Sequence, residues 1–233
     1  MHDAAVPPAW LTVLSWLSLA VAFLCTAWIA FDQWVRGHRQ HMRVMEVVWP
    51  VTALYFGPVA LWGYRRFGLA KSPQWRDAHD TRVDTSPKWS SVAMGVGHCG
   101  AGCTLGDLCA EWVVFGASVT VLGLPLLSEY IGDYILALAF GIAFQYLAIA
   151  PMRGLGMREG LVEAAKADVL SLTSFEVGLF GWMAIVQLVL FPHGLEADHA
   201  AFWFLMQIGM ILGYFTAWPV NVWLMRKGIK EPM

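Results

Sequence analysis

The stretch Gly95-Val-Gly-His-Cys-Gly-Ala-Gly-Cys-Thr-Leu-Gly-Asp-Leu-Cys-Ala-Glu111 decides how the chain is read. It lies in an apolar run from about Ser91 to Leu122, long enough to cross a bilayer as a helix. Yet it carries His98, Cys99, Cys103, Asp107, Cys109 and Glu111. Ionisable groups are costly at bilayer depth, so they face a bundle interior or a water-filled path. Residues four apart share a helical face. Cys99, Cys103, Asp107 and Glu111 therefore form one polar stripe that winds by about 40° per step. The expected architecture is an all-α, polytopic transmembrane helix bundle that houses this stripe.

Composition agrees. The chain is 58% hydrophobic and 14% charged, with a mean hydropathy of +0.56, where soluble domains carry about 25% charged residues. The Trp and Tyr content suits interfacial belts. A net charge of −2 offers no basic surface, and nothing supports nucleic-acid binding. Cys25, Cys99, Cys103 and Cys109 all fall in apolar runs, which argues against a secreted disulfide framework and for buried thiols or a metal site. Met1 to Pro8 lacks Lys and Arg, and the apolar run after it is too long for a signal peptide, so a retained first span is expected. The chain has neither a Gly-x-x-x-x-Gly-Lys-[Ser/Thr] phosphate loop nor a Rossmann fingerprint. No catalytic residue is assigned.

In chain order, about six spans are expected. Residues 1–44 hold the first span, about Ala9 to Phe31, and a basic loop with Arg36, Arg39 and Arg43. Residues 45–233 form a five-span membrane domain with a hydrophilic loop at 65–90. Its spans are about Met45–Tyr64 (with Pro50 and Pro58), the stripe helix, Ser128–Ala150, Leu161–Phe191 and Ala201–Met225. A turn at Gly123-Leu-Pro125 and a basic turn at 153–158 separate the middle ones, and a basic run, Arg226 to Lys230, ends the chain. Cytoplasmic loops are enriched in Lys and Arg, which puts both termini in the cytoplasm. Arg36, Arg39 and Arg43 then face the wrong side, a conflict removed if the second span is a re-entrant hairpin.

With that topology, spans three and five run in the same direction. Counting ~1.5 Å per residue, Asp168 comes level with Cys99, and Glu176 with Asp107. Cys99 and Cys103 can offer two thiolates to a soft cation such as Cu(I) or zinc, with His98, Met206 and Met210 as further ligands. Asp107, Glu111, Asp168 and Glu176 would line an acidic cation path. The Gly102-x-x-x-Gly106 spacing suits close helix packing.

Several segments resemble a family of bacterial multi-pass membrane proteins known only as a domain of unknown function. They are Trp49 to Pro58, His-Cys-Gly-Ala-Gly-Cys-Thr-Leu-Gly-Asp (98–107), Ala-Pro-Met-Arg-Gly (150–154) and Lys166 to Glu176, with the end of span six. The resemblance implies a polytopic protein of the bacterial inner membrane and carries no activity. The residues themselves lead to an expected function: binding, transporting or delivering a soft metal cation, Cu(I) first. The alternatives are a proton- or cation-coupled carrier that uses the carboxylates, or a non-catalytic subunit or assembly factor. The expected partners are the lipid bilayer and a metal or other cation, with a homo-oligomer or a membrane partner left open.

Overall fold

The computed structural model describes residues 6–79, 88–117, 125–192 and 194–230. All its regular structure is helical. Five long helices make the bundle: α1 (Ala9–Trp34), α5 (Lys88–Ala117), α6 (Pro125–Arg153), α7 (Met157–Ile185) and α8 (Ala200–Arg226). A π-helical turn, Val186–Leu190, prolongs α7. Four of them, α1, α6, the prolonged α7 and α8, are long and apolar enough to cross a membrane. α5 has 30 residues, but its glycines, His98, Asp107 and Glu111 dilute its apolar character. It is also the most enclosed helix, with residues 94–104 all buried. Gly123 and Leu124 of the expected turn, positions 80–87 of the hydrophilic loop, and His193 lie outside the described residues.

Small residues set the helix spacing. A Cβ on Gly102 of α5 would stand 2.8 Å from Gly141 Cα in α6, and one on Gly106 would strike the Ala137 backbone. One on Gly178 of α7 would stand 2.8 Å from Gly213 Cα in α8. Such close antiparallel approach is how helices gain packing where lipid removes the hydrophobic drive. Polar clasps add to it. Trp182 Nε1 donates to Leu205 O (2.9 Å), Tyr130 Oη donates to Phe180 O (2.7 Å), and Thr216 Oγ1 donates to Ser174 O (2.7 Å).

The second expected span is not one continuous helix. α2 (Met45–Phe56) stops after 12 residues, and the chain reverses at Gly57 (φ 50°, ψ −122°). α3 (Pro58–Gly63) and the helical turns to Lys71 then run back beside it. Trp49 packs edge-on against Tyr64 with ring centroids 5.7 Å apart, whereas a straight helix would hold those residues about 22 Å apart. The sequence dictates the reversal at Gly57-Pro58. Glycine tolerates the positive φ, and proline cannot donate to the preceding turn but fits the first position of a new helix. Pro50, the other proline of the expected span, stays inside α2.

This re-entrant hairpin brings both its ends to one end of the bundle. Tyr64 Oη donates to Asp32 Oδ2 (2.8 Å), the Arg65 guanidinium lies 4.3 Å over the Trp28 ring, and Arg39 pairs with Glu46 (2.7 Å). Phe67 meets Trp89 at the start of α5, with centroids 5.1 Å apart. Met225, near the end of α8, packs on Gly95. Every described Lys and Arg therefore gathers at this basic end, where α1, α6 and α8 finish and α5 and α7 begin. α4 (Pro73–Ala78) lies there too, Trp75 against His38. At the opposite end Gln187 clamps the loop after α7 through Leu195 N (2.8 Å) and Leu195 O (3.0 Å).

Candidate functional site

A row of buried polar side chains runs through the bundle from the hairpin tip. Tyr55 projects its hydroxyl towards Gly100, where a Cβ would come within 2.8 Å of it. Only glycine at 100 admits both Tyr55 and the Phe175 ring. The hydroxyl is within electrostatic reach of Cys99 and Cys103. Those two thiols face one another one helical turn apart, and Cys103 also faces the Glu176 carboxyl of α7. Asp107 is within electrostatic reach of Glu176, of Asp133 on α6 and of Glu111. Glu111 and Asp133 lie side by side, with Glu129 next to them towards the end opposite the basic one.

The side chains of this row are almost shut off from solvent. Cys99, Cys103 and Asp107 are 0% exposed, Glu176 and Asp133 1%, Glu111 4%. Both carboxyl oxygens of Asp107 and of Glu176, one of Asp133 and the Tyr55 hydroxyl have no hydrogen-bond partner among the described residues. A buried polar atom left unpaired costs about 1–3 kcal/mol, and more if charged.

Asp168, expected in the same acidic path, stands apart. Its Oδ1 is 3.2 Å from Lys230 Nζ, and neither side chain is exposed. Lys230, expected as part of a basic terminal run, thus reaches into the bundle. Lys166 pairs instead with Glu163 (2.8 Å) at the surface. Glu46, another acid of an apolar run, is neutralised by Arg39 at the hairpin base.

The expected metal ligands do not assemble as a set. His98 turns away from the thiols to α6, its ring centroid 6.1 Å from that of Phe144. It faces the Phe144 backbone without closing a hydrogen bond. On a regular helix it points about 100° from Cys99, and the glycine-rich segment stays helical. Met206 and Met210 line a groove of about 430 Å³ between α1, α5 and α8, with Trp16, Thr104 and Trp112. There Thr104 Oγ1 donates to Met210 Sδ (3.6 Å). Cys109 is exposed. Among the described residues, no three His, Cys, Asp or Glu side chains converge as a metal-holding group.

Sequence reading missed three members of these clusters. Asp133 and Glu129 of α6 share the four-residue spacing that marked α5, and that spacing is the signal that could have found them. Tyr55 could be found only once the hairpin was known. Lys230 carries no sequence signal, because one lysine in a short basic run looks like any other.

A family model described as a domain of unknown function (DUF4396) matches residues 88–230. That segment comprises α5 to α8 and Lys230, and so holds both thiols and every carboxylate of the row; Tyr55 lies outside it. No curated protein and no solved structure matches the chain.

Proposed function

The chain belongs to the DUF4396 family, a domain of unknown function, and on that premise we propose that it is a cell-membrane protein that moves protons along the buried carboxylates. Glu176, Asp107, Asp133 and Glu111 are the stations, and a small cation can replace the proton between them. The observation that carries this reading is that Asp107 and Glu176 are enclosed within electrostatic reach of one another, with no hydrogen-bond partner on any of their four oxygens among the described residues. Two enclosed carboxylates that feel one another in a low dielectric resist joint ionisation unless a proton or cation neutralises one of them. Acids without an internal base select cations. The purified protein in liposomes is expected to admit protons when a negative-inside potential is imposed, read with an entrapped pH dye. A rate equal to that of empty vesicles would refute the proposal.

A second reading, a soft cation such as Cu(I) held by Cys99 and Cys103, is favoured by the two thiols facing each other beside Glu176. His98, Met206 and Met210, on other faces, do not strengthen it. The double variant Cys99→Ser/Cys103→Ser separates the readings, because serine is close in size and holds no soft metal. Proton flux is expected to persist in it. Loss of flux together with loss of stoichiometric Cu(I) binding in elemental analysis would reverse the order.

The orientation we propose has the basic end in the cytoplasm, following the enrichment of Lys and Arg in cytoplasmic loops. What supports it is the gathering of every described Lys and Arg at that end, including Arg36, Arg39 and Arg43 once the hairpin is taken into account. The N-terminal end of α1 is then outside and the C-terminal end of α8 inside. Reporter fusions at His38 and Lys227 should read cytoplasmic and one at Gly194 external. A fusion at His38 that reads external would restore the full second span.

A further inference from the structure

The ion pair at the basic end has more structure than neutralisation requires. α8 closes with a left-handed Gly228 (φ 68°), whose N–H donates to Met225 O (3.1 Å), while Ile229 N–H donates to Leu224 O (3.0 Å). This helix-ending turn sends Lys230 back into the bundle instead of out to water. There its Nζ donates to Asp168 Oδ1 (3.2 Å). The other oxygen, Asp168 Oδ2, has no partner among the described residues. It lies over Gly141, where a Cβ would come within 2.8 Å of it. His98, both ring nitrogens unpartnered among the described residues, is within electrostatic reach of Lys230. One turn along α7 from Asp168, Ser171 Oγ accepts from Asn221 Nδ2 (2.7 Å), and Asn221 Oδ1 is unpartnered among the described residues.

Burying an ion pair costs several kcal/mol per ion before the mutual attraction is counted, and apolar residues of similar volume often serve stability as well. An ammonium has three donors to place. The pocket offers a carboxylate with a spare oxygen, an imidazole within reach and, one turn on, an amide oxygen. Glycine at 141 also lets the acid's spare oxygen lie against the α6 backbone. Such groups are the ligands a cation site needs, and the Lys230 ammonium stands at the carboxylate among them.

We propose that Asp168 anchors a binding site for an ammonium-sized monovalent cation at the basic end of the bundle, with the Lys230 ammonium as its tethered occupant. The site goes beyond the proton row, which begins on the next turns of α7 at Glu176, and its test involves no transport.

Lys230→Ala empties the site and leaves room for a free ion. Thermal unfolding of the detergent-purified protein is followed in ammonium, potassium and choline chloride at equal ionic strength. The wild type should melt alike in all three. Lys230→Ala should melt lower in choline and gain about 5 °C or more in ammonium or potassium, saturably with concentration. The double variant Asp168→Asn/Lys230→Met has no charge to pair and should again be indifferent. Indifference of Lys230→Ala to the salt overturns the proposal. So does failure to recover folded Lys230→Ala in any of the three salts when the double variant is recovered. Absent proton flux in the wild type would end the conduction reading and leave these melting curves to decide the site on their own.

Discussion

Glu176→Gln is expected to reduce proton entry to the level of empty vesicles while leaving the bundle folded. Glu176 is the one carboxyl that α7 adds to the acids of α5 and α6, and it lies within electrostatic reach of Cys103, Asp107 and Asp133. The amide keeps the shape, donates and accepts hydrogen bonds, but cannot release a proton at physiological pH. Asp107→Asn should act alike. Each change also removes one of two buried carboxyls that compete to ionise in a low dielectric, so stability should stay within about 1 kcal/mol of the wild type or rise. The pair acts as one station, and the double variant should be no slower than the worse single one. Vesicle flux measured beside thermal melting checks both halves. Wild-type flux in Glu176→Gln would remove Glu176 from the path. Loss of flux matched by loss of fold would show only that the side chain is structural.

The second large effect concerns spacing. Gly106→Val drives its Cβ into the Ala137 backbone of α6, and backbone cannot swing aside as a side chain can. Overpacking a tight contact costs about 1–3 kcal/mol and occasionally more, and here the helices themselves must part, so at least ~3 kcal/mol is expected. Gly116→Ala provides the contrast. Nothing lies within 4 Å of a Cβ there, and alanine is the better helix former by up to about 1 kcal/mol. Size-exclusion profiles and melting in detergent should show Gly106→Val aggregated or melting far below the wild type, and Gly116→Ala equal or higher. Equal melting of the two variants would mean that the α5–α6 contact is not close. The same contact sets how near Asp133 of α6 comes to Asp107 and Glu111 of α5, so a milder Gly106→Ala should disturb the row before it unfolds the bundle.

These two sites also divide what the sequence discloses from what it hides. The helical period and a bilayer-length apolar run are local properties, so α1, α6, α7 and α8 were legible to within a few residues. So was the common direction of α5 and α7. The second span failed because apolar length alone does not say whether a helix continues. Gly57-Pro58 decided it through one positive φ, and the misplaced arginines were the visible symptom. Partners remote in sequence stayed hidden. His98 shares a motif with Cys99 yet faces another helix, and Lys230 finds Asp168, 62 positions earlier, through a turn whose only mark is Gly228. Spacing along one helix predicts a face, while the helix opposite that face is set by tertiary packing.

The hairpin bears on the order of assembly. Its first arm has 12 residues, against about 20 needed to cross a bilayer, and the irregular backbone at Gly57 is tolerable at depth only when walled by protein. Its walls are α5, through Gly97 and Gly100, and α8, through Tyr214 and Gln207, which holds Leu54 O at 2.6 Å. Both emerge from the ribosome after the segment they enclose. α1, which donates from Thr26 Oγ1 to Pro50 O (3.0 Å), can shelter one side of the hairpin as soon as it is made, whereas the other side is covered only once α5 and α8 have followed.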